Sequence, residues 1–271
     1  MMIEKQNLHT HSSYCDGKDT PEELVLYAIN AGFSSVGFSG HISPKDYAVF
    51  GYTADLKGYI QEIQRLQLKY GDKIRIYLGA EKDAYSSVES SAFQYVIGSV
   101  HMSIKNNIPI FFDHDIELCK KAIIEVFDGE IIEYIQSYYD TVVSLPDRFD
   151  FQIVGHFDVL TKFNEREKIF DGLDKTYKNI ALEALHTIIK KVNVFEVNTG
   201  AMARGFRTTP YPDIFLLEEI KRLGGSIIIT SDCHDKNKLD YGFDTTTELL
   251  KNIGYKEKLI LGDNGFKEVP L

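Results

Sequence analysis

Seven short strand-like runs recur along the chain, at residues 3–8, 36–39, 74–80, 95–99, 151–155, 194–197 and 226–230. Most are apolar without alternation, which is how strands read when both faces of a sheet are covered. Segments with apolar residues at helical spacing lie between them. Thr20-Pro21-Glu22-Glu23 reads as a capping box with proline at the first helical position, and Gly32 ends that helix. Further helices are expected over 54–70 and over 115–145, the latter broken at Asp128-Gly129 with Pro146 beyond its end. Others are expected over 175–191, 212–223 and 244–252, and residues 259–261 read as an extra short strand. Strands and helices in alternation, joined by right-handed crossovers, close readily into a barrel. An open doubly wound sheet is the alternative.

The residues just past each run narrow the choice. The chain opens with Asn7-Leu8-His9-Thr10-His11 and adds Asp16. His41 comes after the second run, Glu81 after the third, His101 after the fourth and His156 after the fifth, while Asp232 and His234 come after the seventh. Six of the eight histidines fall in this set. Imidazole and carboxylate are the donors that divalent transition metals bind. Each residue alone has a plain alternative. His-x-His can be a pair on one strand face, Glu81 a loop carboxylate, and Asp232-Cys233-His234 a turn. Together they describe a multinuclear metal site. Barrel enzymes build their sites at the carboxyl ends of the strands, whereas an open sheet uses the crevice at one switch point. Candidate ligands after every run except the sixth favour the barrel.

A chain of 271 residues, 44% hydrophobic, is expected to form one domain over residues 1–271. No uncharged apolar stretch is long enough to span a membrane, and Met1-Met2-Ile3-Glu4-Lys5-Gln6 lacks the features of a signal peptide, so a cytoplasmic protein is expected. A formal net charge of -10 argues against nucleic-acid or anionic-membrane partners. It leaves room for a small anionic substrate, because bound cations reverse the local field. Cys15, Cys119 and Cys233 form no CxxC pair and are read as free thiols. Cys15 and Cys233 flank the expected site as small packing residues, with a thiolate ligand or redox control as the sharper alternative.

His9-Thr10-His11, Asp16, Gly40-His41, Gly79-Ala80-Glu81, Gly98-Ser99-Val100-His101, Gly155-His156-Phe157-Asp158 and Ser231-Asp232-Cys233-His234 span nearly the whole chain. In these motifs the sequence resembles the polymerase-and-histidinol-phosphatase (PHP) family of metal-dependent phosphoesterases. The resemblance implies a distorted (β/α)7 TIM-like barrel, with three divalent metal ions (Zn, Mn or Fe) at the carboxyl ends of its strands. One ion would be held by His9, His11, Glu81 and Asp232, a second by Glu81, His101 and His156, and a third by Asp16, His41 and His234. Within the family the likeness is to the histidinol-phosphate phosphatases, through length and the segment from Phe195-Glu196-Val197-Asn198-Thr199 to Tyr211-Pro212. Many members have Asp where Asn7 stands, so Asn7 is read as a neutral neighbour of the ligands. A basic residue is expected directly after the Gly-His-x-Asp motif, where this chain has Leu160-Thr161-Lys162.

The expected reaction is hydrolysis of L-histidinol phosphate in histidine biosynthesis. A hydroxide bridging two ions would attack the phosphoryl group in line. Glu81 would bridge those ions, and Asp232 or His234 would handle the proton. Arg204, then Arg207, are the first candidates for the phosphate, with Lys162 beside them, because guanidinium fits phosphate bidentately. His114 is a weaker candidate for substrate contact and His186 a structural residue. Tyr47, Tyr52 and Tyr85 are loop aromatics that could line the pocket. The alternative substrates are nucleotides or nucleic-acid ends, for which the acidic chain offers no basic groove. A non-catalytic metal-binding module is the third reading, and the full ligand set argues against it. Nothing in the sequence speaks to oligomeric state.

Overall fold

The computed structural model describes residues 4–44 and 52–271. Met1, Met2, Ile3 and Tyr47 therefore lie outside the described residues. In chain order the elements are β1 (Gln6–Asn7), α1 (Pro21–Asn30), β2 (Ser35–Ile42), α2 (Leu56–Tyr70), β3 (Arg75–Asp83), β4 (Tyr95–Ser99), β5 (Met102–Lys105), β6 (Ile108–Phe111), α3 (Ile116–Val126) and α4 (Ile131–Arg148). Next come β7 (Ile153–Val154), α5 (Lys175–Ile188), β8 (Val194–Asn198), α6 (Gly200–Ala203), α7 (Ile214–Arg222), β9 (Ser226–Thr230), α8 (Phe243–Ile253), β10 (Glu257–Gly262) and β11 (Gly265–Pro270).

Seven of these strands form one sheet in the order β1-β2-β3-β4-β7-β8-β9, every paired neighbour parallel. The ends of the sheet nearly meet. A parallel bridge joins Thr10 to Cys233, with the His11 amide donating to Cys233 O at 2.8 Å and the Cys233 amide to His9 O at 3.0 Å. The expected seven-stranded TIM-like barrel is thus present, closed along one seam by this single bridge among the described residues.

Local chemistry sets the helix starts. Thr20 and Glu23 form the reciprocal capping box before α1, and Asp55, Asp115, Asp174 and Asp213 each accept a backbone N–H at the start of α2, α3, α5 and α7. The break between α3 and α4 falls at Asp128 and Gly129, both at positive φ. Pro146 lies in the last turn of α4, two residues before its end, rather than beyond it. A proline there costs the helix one backbone hydrogen bond close to where the ladder stops anyway.

The barrel interior is filled from one end. Tyr95 crosses it and donates to Leu8 O at 2.5 Å and Phe38 O at 3.0 Å. Its ring occupies the space where a Cβ on Gly37 or Gly79 would stand, so these two strand positions must be glycine. Leu8, Tyr77, Ile97, Ile153, Val194 and Ile228 pack around it. The antiparallel β10–β11 hairpin covers that end: Leu261 O accepts from Gln6 and Tyr77, and Leu261 N donates to Gln6. The strand expected over 259–261 is half of this hairpin. The β5–β6 hairpin is an addition that the sequence pattern does not announce. Its two-residue turn, Asn106-Asn107, has φ of 52° and 62°, the mirror-image turn that matches strand twist. Among the described residues no helix is long and apolar enough to cross a membrane.

Candidate metal centre

Side chains alternate along a strand, so the residues that continue the barrel interior past its packed end share one parity. On β2 this parity runs Gly37, Ser39, His41; on β3, Tyr77, Gly79, Glu81, Asp83; from β4, Tyr95, Ile97, Ser99, His101. Register places His41 beside Glu81. The barrel therefore changes from an apolar plug to a polar site within about two residues of each strand end.

Glu81 lies at the centre, buried, its two oxygens facing different ligand sets. Oε1 lies 2.8 Å from His156 Nε2 and 3.3 Å from His101 Nε2. Oε2 lies 2.9 Å from His41 Nδ1, 3.2 Å from His9 Nε2 and 3.4 Å from His11 Nε2. Asp232 Oδ1 is 3.3 Å from His11 Nε2 and 3.7 Å from His9 Nε2. Asp16 Oδ2 is 3.2 Å from His234 Nε2 and 3.5 Å from His41 Nε2. Three overlapping groups bring their donor atoms within 4.8 Å of one another: His11, Asp16, His41 and His234; His9, His11 and Asp232; His41, Glu81 and His101. All nine residues expected as ligands converge here.

The donor chemistry fits cations. His9 Nε2, His11 Nε2, His41 Nδ1 and Glu81 Oε2 are buried and make no hydrogen bond. Desolvated nitrogen and oxygen donors without partners are costly unless something charged fills the space between them. Electrostatics agree. Burial alone would lower His9, but Glu196, Glu81 and Asp232 outweigh it and hold the imidazole well above its ordinary range. Burial opposes charge on Glu81 too, yet His9, His101 and His41 hold it well below the usual carboxylate range. His11 goes the other way: burial, with His234 and His41 adding to it, pushes it down to about 3, leaving a free lone pair.

Behind the candidate ligands stands a layer of acceptors. Glu196, from the sixth barrel strand, β8, is not among the residues that the sequence pattern singles out. It is wholly buried and accepts from His9 Nδ1 at 2.5 Å, His156 N at 2.8 Å, Thr230 Oγ1 at 2.6 Å and Asn198 Nδ2 at 3.1 Å. Asp83 Oδ2 similarly lies 2.9 Å from His101 Nδ1. A carboxylate on one ring nitrogen fixes the tautomer, so the other nitrogen points its lone pair at a metal. Asn7 ties the seam: its Oδ1 accepts from His9 N and Ser231 N, and its Nδ2 donates to Ser231 Oγ and Leu239 O. No atom of it is left for a metal, as expected.

A cavity of about 290 Å³ opens over the candidate ligands. Arg204 and Lys162 line it, as does His114, but Arg207 does not. Arg204 donates to Asp232 Oδ2 at 2.9 Å and approaches His234 Nδ1 at 3.2 Å. Lys162 donates to Asp113 O at 2.5 Å. The buried guanidinium of Arg207 is engaged by Thr161 and Thr209, stacks on Tyr211, and lies 4.0 Å from Asp158. That commitment turns it from the cavity toward the Lys162 turn. Tyr52 and Tyr85 are also absent from the wall; Tyr85 OH accepts from Ile104 N. His186 pairs with Glu219 between α5 and α7, in the structural role expected. Cys15, Cys119 and Cys233 are free thiols, Cys15 Sγ lying 3.5 Å from His11 Nδ1.

Comparison with known proteins agrees with this architecture. The chain is 28% identical over 274 residues to the "Probable histidinol-phosphatase" of Schizosaccharomyces pombe, covering 91% of this chain and 86% of that protein. It is 26% identical over 272 residues to the histidinol-phosphatase of Lactococcus lactis subsp. lactis, covering 94% and 93%. Its fold superposes with a TM-score of 0.73 and 24% identity on the crystal structure of a Lactococcus lactis histidinol phosphate phosphatase complexed with Zn, L-histidinol and phosphate, covering 97% of this chain and 99% of that one. The PHP domain itself matches residues 7–200. With that match over more than half its length, the chain belongs to the PHP domain family.

Proposed function

We propose that the chain, as a single unit over residues 1–271, hydrolyses L-histidinol phosphate to L-histidinol and phosphate. The observation that carries this is Glu81, with its two oxygens turned to separate histidine sets, of which His41, His101 and His156 line a cavity shared with Lys162 and Arg204. The names of the relatives support the substrate.

His9, His11, Glu81 and Asp232 would hold one divalent ion, Glu81, His101 and His156 a second, and Asp16, His41 and His234 a third. Zn, Mn and Fe all suit mixed imidazole and carboxylate donors. Bound ions of this kind supply hydroxide near neutral pH and neutralise phosphoryl charge. The chain's own groups do the rest. Arg204 lines the cavity wall and meets the phosphoryl oxygens, with Lys162 as the second cation. Arg207 keeps the Lys162 turn in place through Thr161. Asp232 is held ionised well below the usual carboxylate range: burial opposes this, and Arg204 and His9 outweigh it. An ionised Asp232 can accept a proton but not supply one, so of the two proton-handling candidates it would serve as the acceptor.

The test is phosphate release from L-histidinol phosphate, nucleoside monophosphates and p-nitrophenyl phosphate by protein of known metal content. L-Histidinol phosphate should be the preferred substrate. No preference for it refutes the substrate assignment. No turnover of any of them by metal-loaded protein refutes the enzyme.

A further inference from the structure

Lys162 and Arg204 line the same cavity but come from different loops, one after β7 and the other after β8. Their polar partners differ too: Asp113 for Lys162, Asp232 and His234 for Arg204. Two cations facing one small space repel each other, and none of those contacts sets the gap between them. The chain after Arg204 supplies a link. Arg204 caps α6 and Gly205 follows at φ of 72°. Gly205 N donates to Met202 O at 2.9 Å and Phe206 N to Ala201 O at 2.8 Å. These two bonds make a Schellman stop, which fixes the backbone from Arg204 to Phe206. The half-buried Phe206 ring meets Phe163 edge to face, with centroids 5.5 Å apart. Lys162 Nζ lies 5.3 Å from the Phe206 centroid, and the guanidinium of Arg166 lies 4.8 Å from it. A cation within about 6 Å of a ring centroid, over its face, is attracted by the ring quadrupole. Phe163 is 5.5 Å from the same ammonium, but as the sequence neighbour of Lys162 it makes no link to Arg204. Arg166 Nε donates to Gly205 O at 2.6 Å, and Glu165 Oε2 accepts from Thr208 N at 2.7 Å. The Lys162 turn therefore grips the Arg204 loop on both sides of Phe206 in sequence.

We propose that Phe206 is a positioning residue that sets the distance between the two cations meeting the phosphoryl group. It holds the Lys162 ammonium against a ring whose place is fixed relative to Arg204. The proposal rests on the reading of Lys162 and Arg204 as the phosphate's cations given above. Phe206 and Arg207 divide the work: Arg207 anchors the turn at Thr161, and Phe206 holds the charged end of the lysine. Phe206 touches no reacting atom and acts only through Lys162.

The experiment compares zinc-loaded wild type, Phe206→Leu, Phe206→Tyr, Lys162→Met and the double variant Phe206→Leu with Lys162→Met. Inorganic phosphate binding is measured by titration calorimetry, and kcat and KM on p-nitrophenyl phosphate, with zinc content determined in each preparation. Phe206→Leu should weaken phosphate binding and raise KM about 3- to 10-fold, the loss of one cation–π hold, with kcat within about twofold. Phe206→Tyr keeps the ring and should restore wild-type values. With Lys162→Met already present, Phe206→Leu should change phosphate binding by no more than about twofold, because the residue through which it acts is gone. Unchanged phosphate binding in Phe206→Leu, or the same loss with and without Lys162, overturns the proposal. If Lys162→Met by itself leaves phosphate binding unchanged, the reading of Lys162 as a phosphate cation fails, and this proposal with it. Should Phe206→Leu lose zinc or fail to fold, pentafluorophenylalanine at position 206 decides, since it keeps the ring's shape and reverses its quadrupole. Phosphate must then bind more weakly than to wild type, and equal binding overturns the proposal.

Discussion

Glu196 turns no atom toward the cavity, yet removing its charge should be felt by the metals, because His9 and the His156 backbone both lean on it. Glu196→Gln is expected to weaken metal binding about 10- to 100-fold, measured by competition with a chromogenic chelator. Unchanged affinity would make Glu196 a packing residue. Arg204→Ala should keep its metals and lower kcat/KM for a phosphate monoester about 100-fold, the loss of one preorganised charge donor. Wild-type kinetics would take Arg204 out of the site. The candidate ligands are legible from sequence because all but Asp16 come just after a strand-like run, and a run's end is readable without knowing its partners. Glu196 escapes such a reading because it lies inside a run instead of after one. Its signal is present all the same: a carboxylate flanked by Phe195 and Val197 in a strand covered on both faces. Arg207 misleads for the opposite reason, since no local pattern announces that Thr161 and Asp158 will claim a loop arginine.

At the scale of elements, two glycines on β2 and β3 make room for one tyrosine on β4. Gly79→Ala forces the added methyl into the Tyr95 ring and should destabilise the fold by about 1–3 kcal/mol, read as a lower Tm. A neutral effect would mean that the ring can move aside. The strands and helices themselves are mostly readable, since apolar runs, Asp caps and Gly stops are local signals. β2 and β3 are longer than expected because the polar residues His41, Lys82 and Asp83 continue the ladder beyond the apolar runs. The β5–β6 hairpin is hard to read because its turn is Asn-Asn rather than Asn-Gly and its strands carry little pattern.

The whole molecule couples metals, protons and closure. His9 and His41, raised in the metal-free chain against the pull of burial by Glu196 and Glu81 respectively, contribute stability that is complete below about pH 6.5, the ordinary imidazole value. That contribution is lost as pH rises through their raised values. Metals compete with the same protons, so binding strengthens over the same range. The gap in Tm between zinc-loaded and chelator-stripped protein should therefore widen from pH 6 to pH 9. A gap that stays constant would mean these histidines are not ligands. The seam adds a spatial prediction. His9 and His11 stand on one side of it, Asp232 and His234 on the other, and ions held between them would bridge it. Stripping metal should accelerate hydrogen exchange at the His11 and Cys233 amides, which form the bridge, ahead of amides between β2 and β3.

That seam also dates the site within the life of each molecule. Its two sides are translated more than two hundred codons apart. A growing chain on the ribosome exposes His9 and His11 early but has no Asp232 or His234 to answer them until the last barrel strand has been made. The full complement of donors exists only from that moment, so a chain terminated before it can neither close the barrel nor complete the two donor sets that need Asp232 and His234.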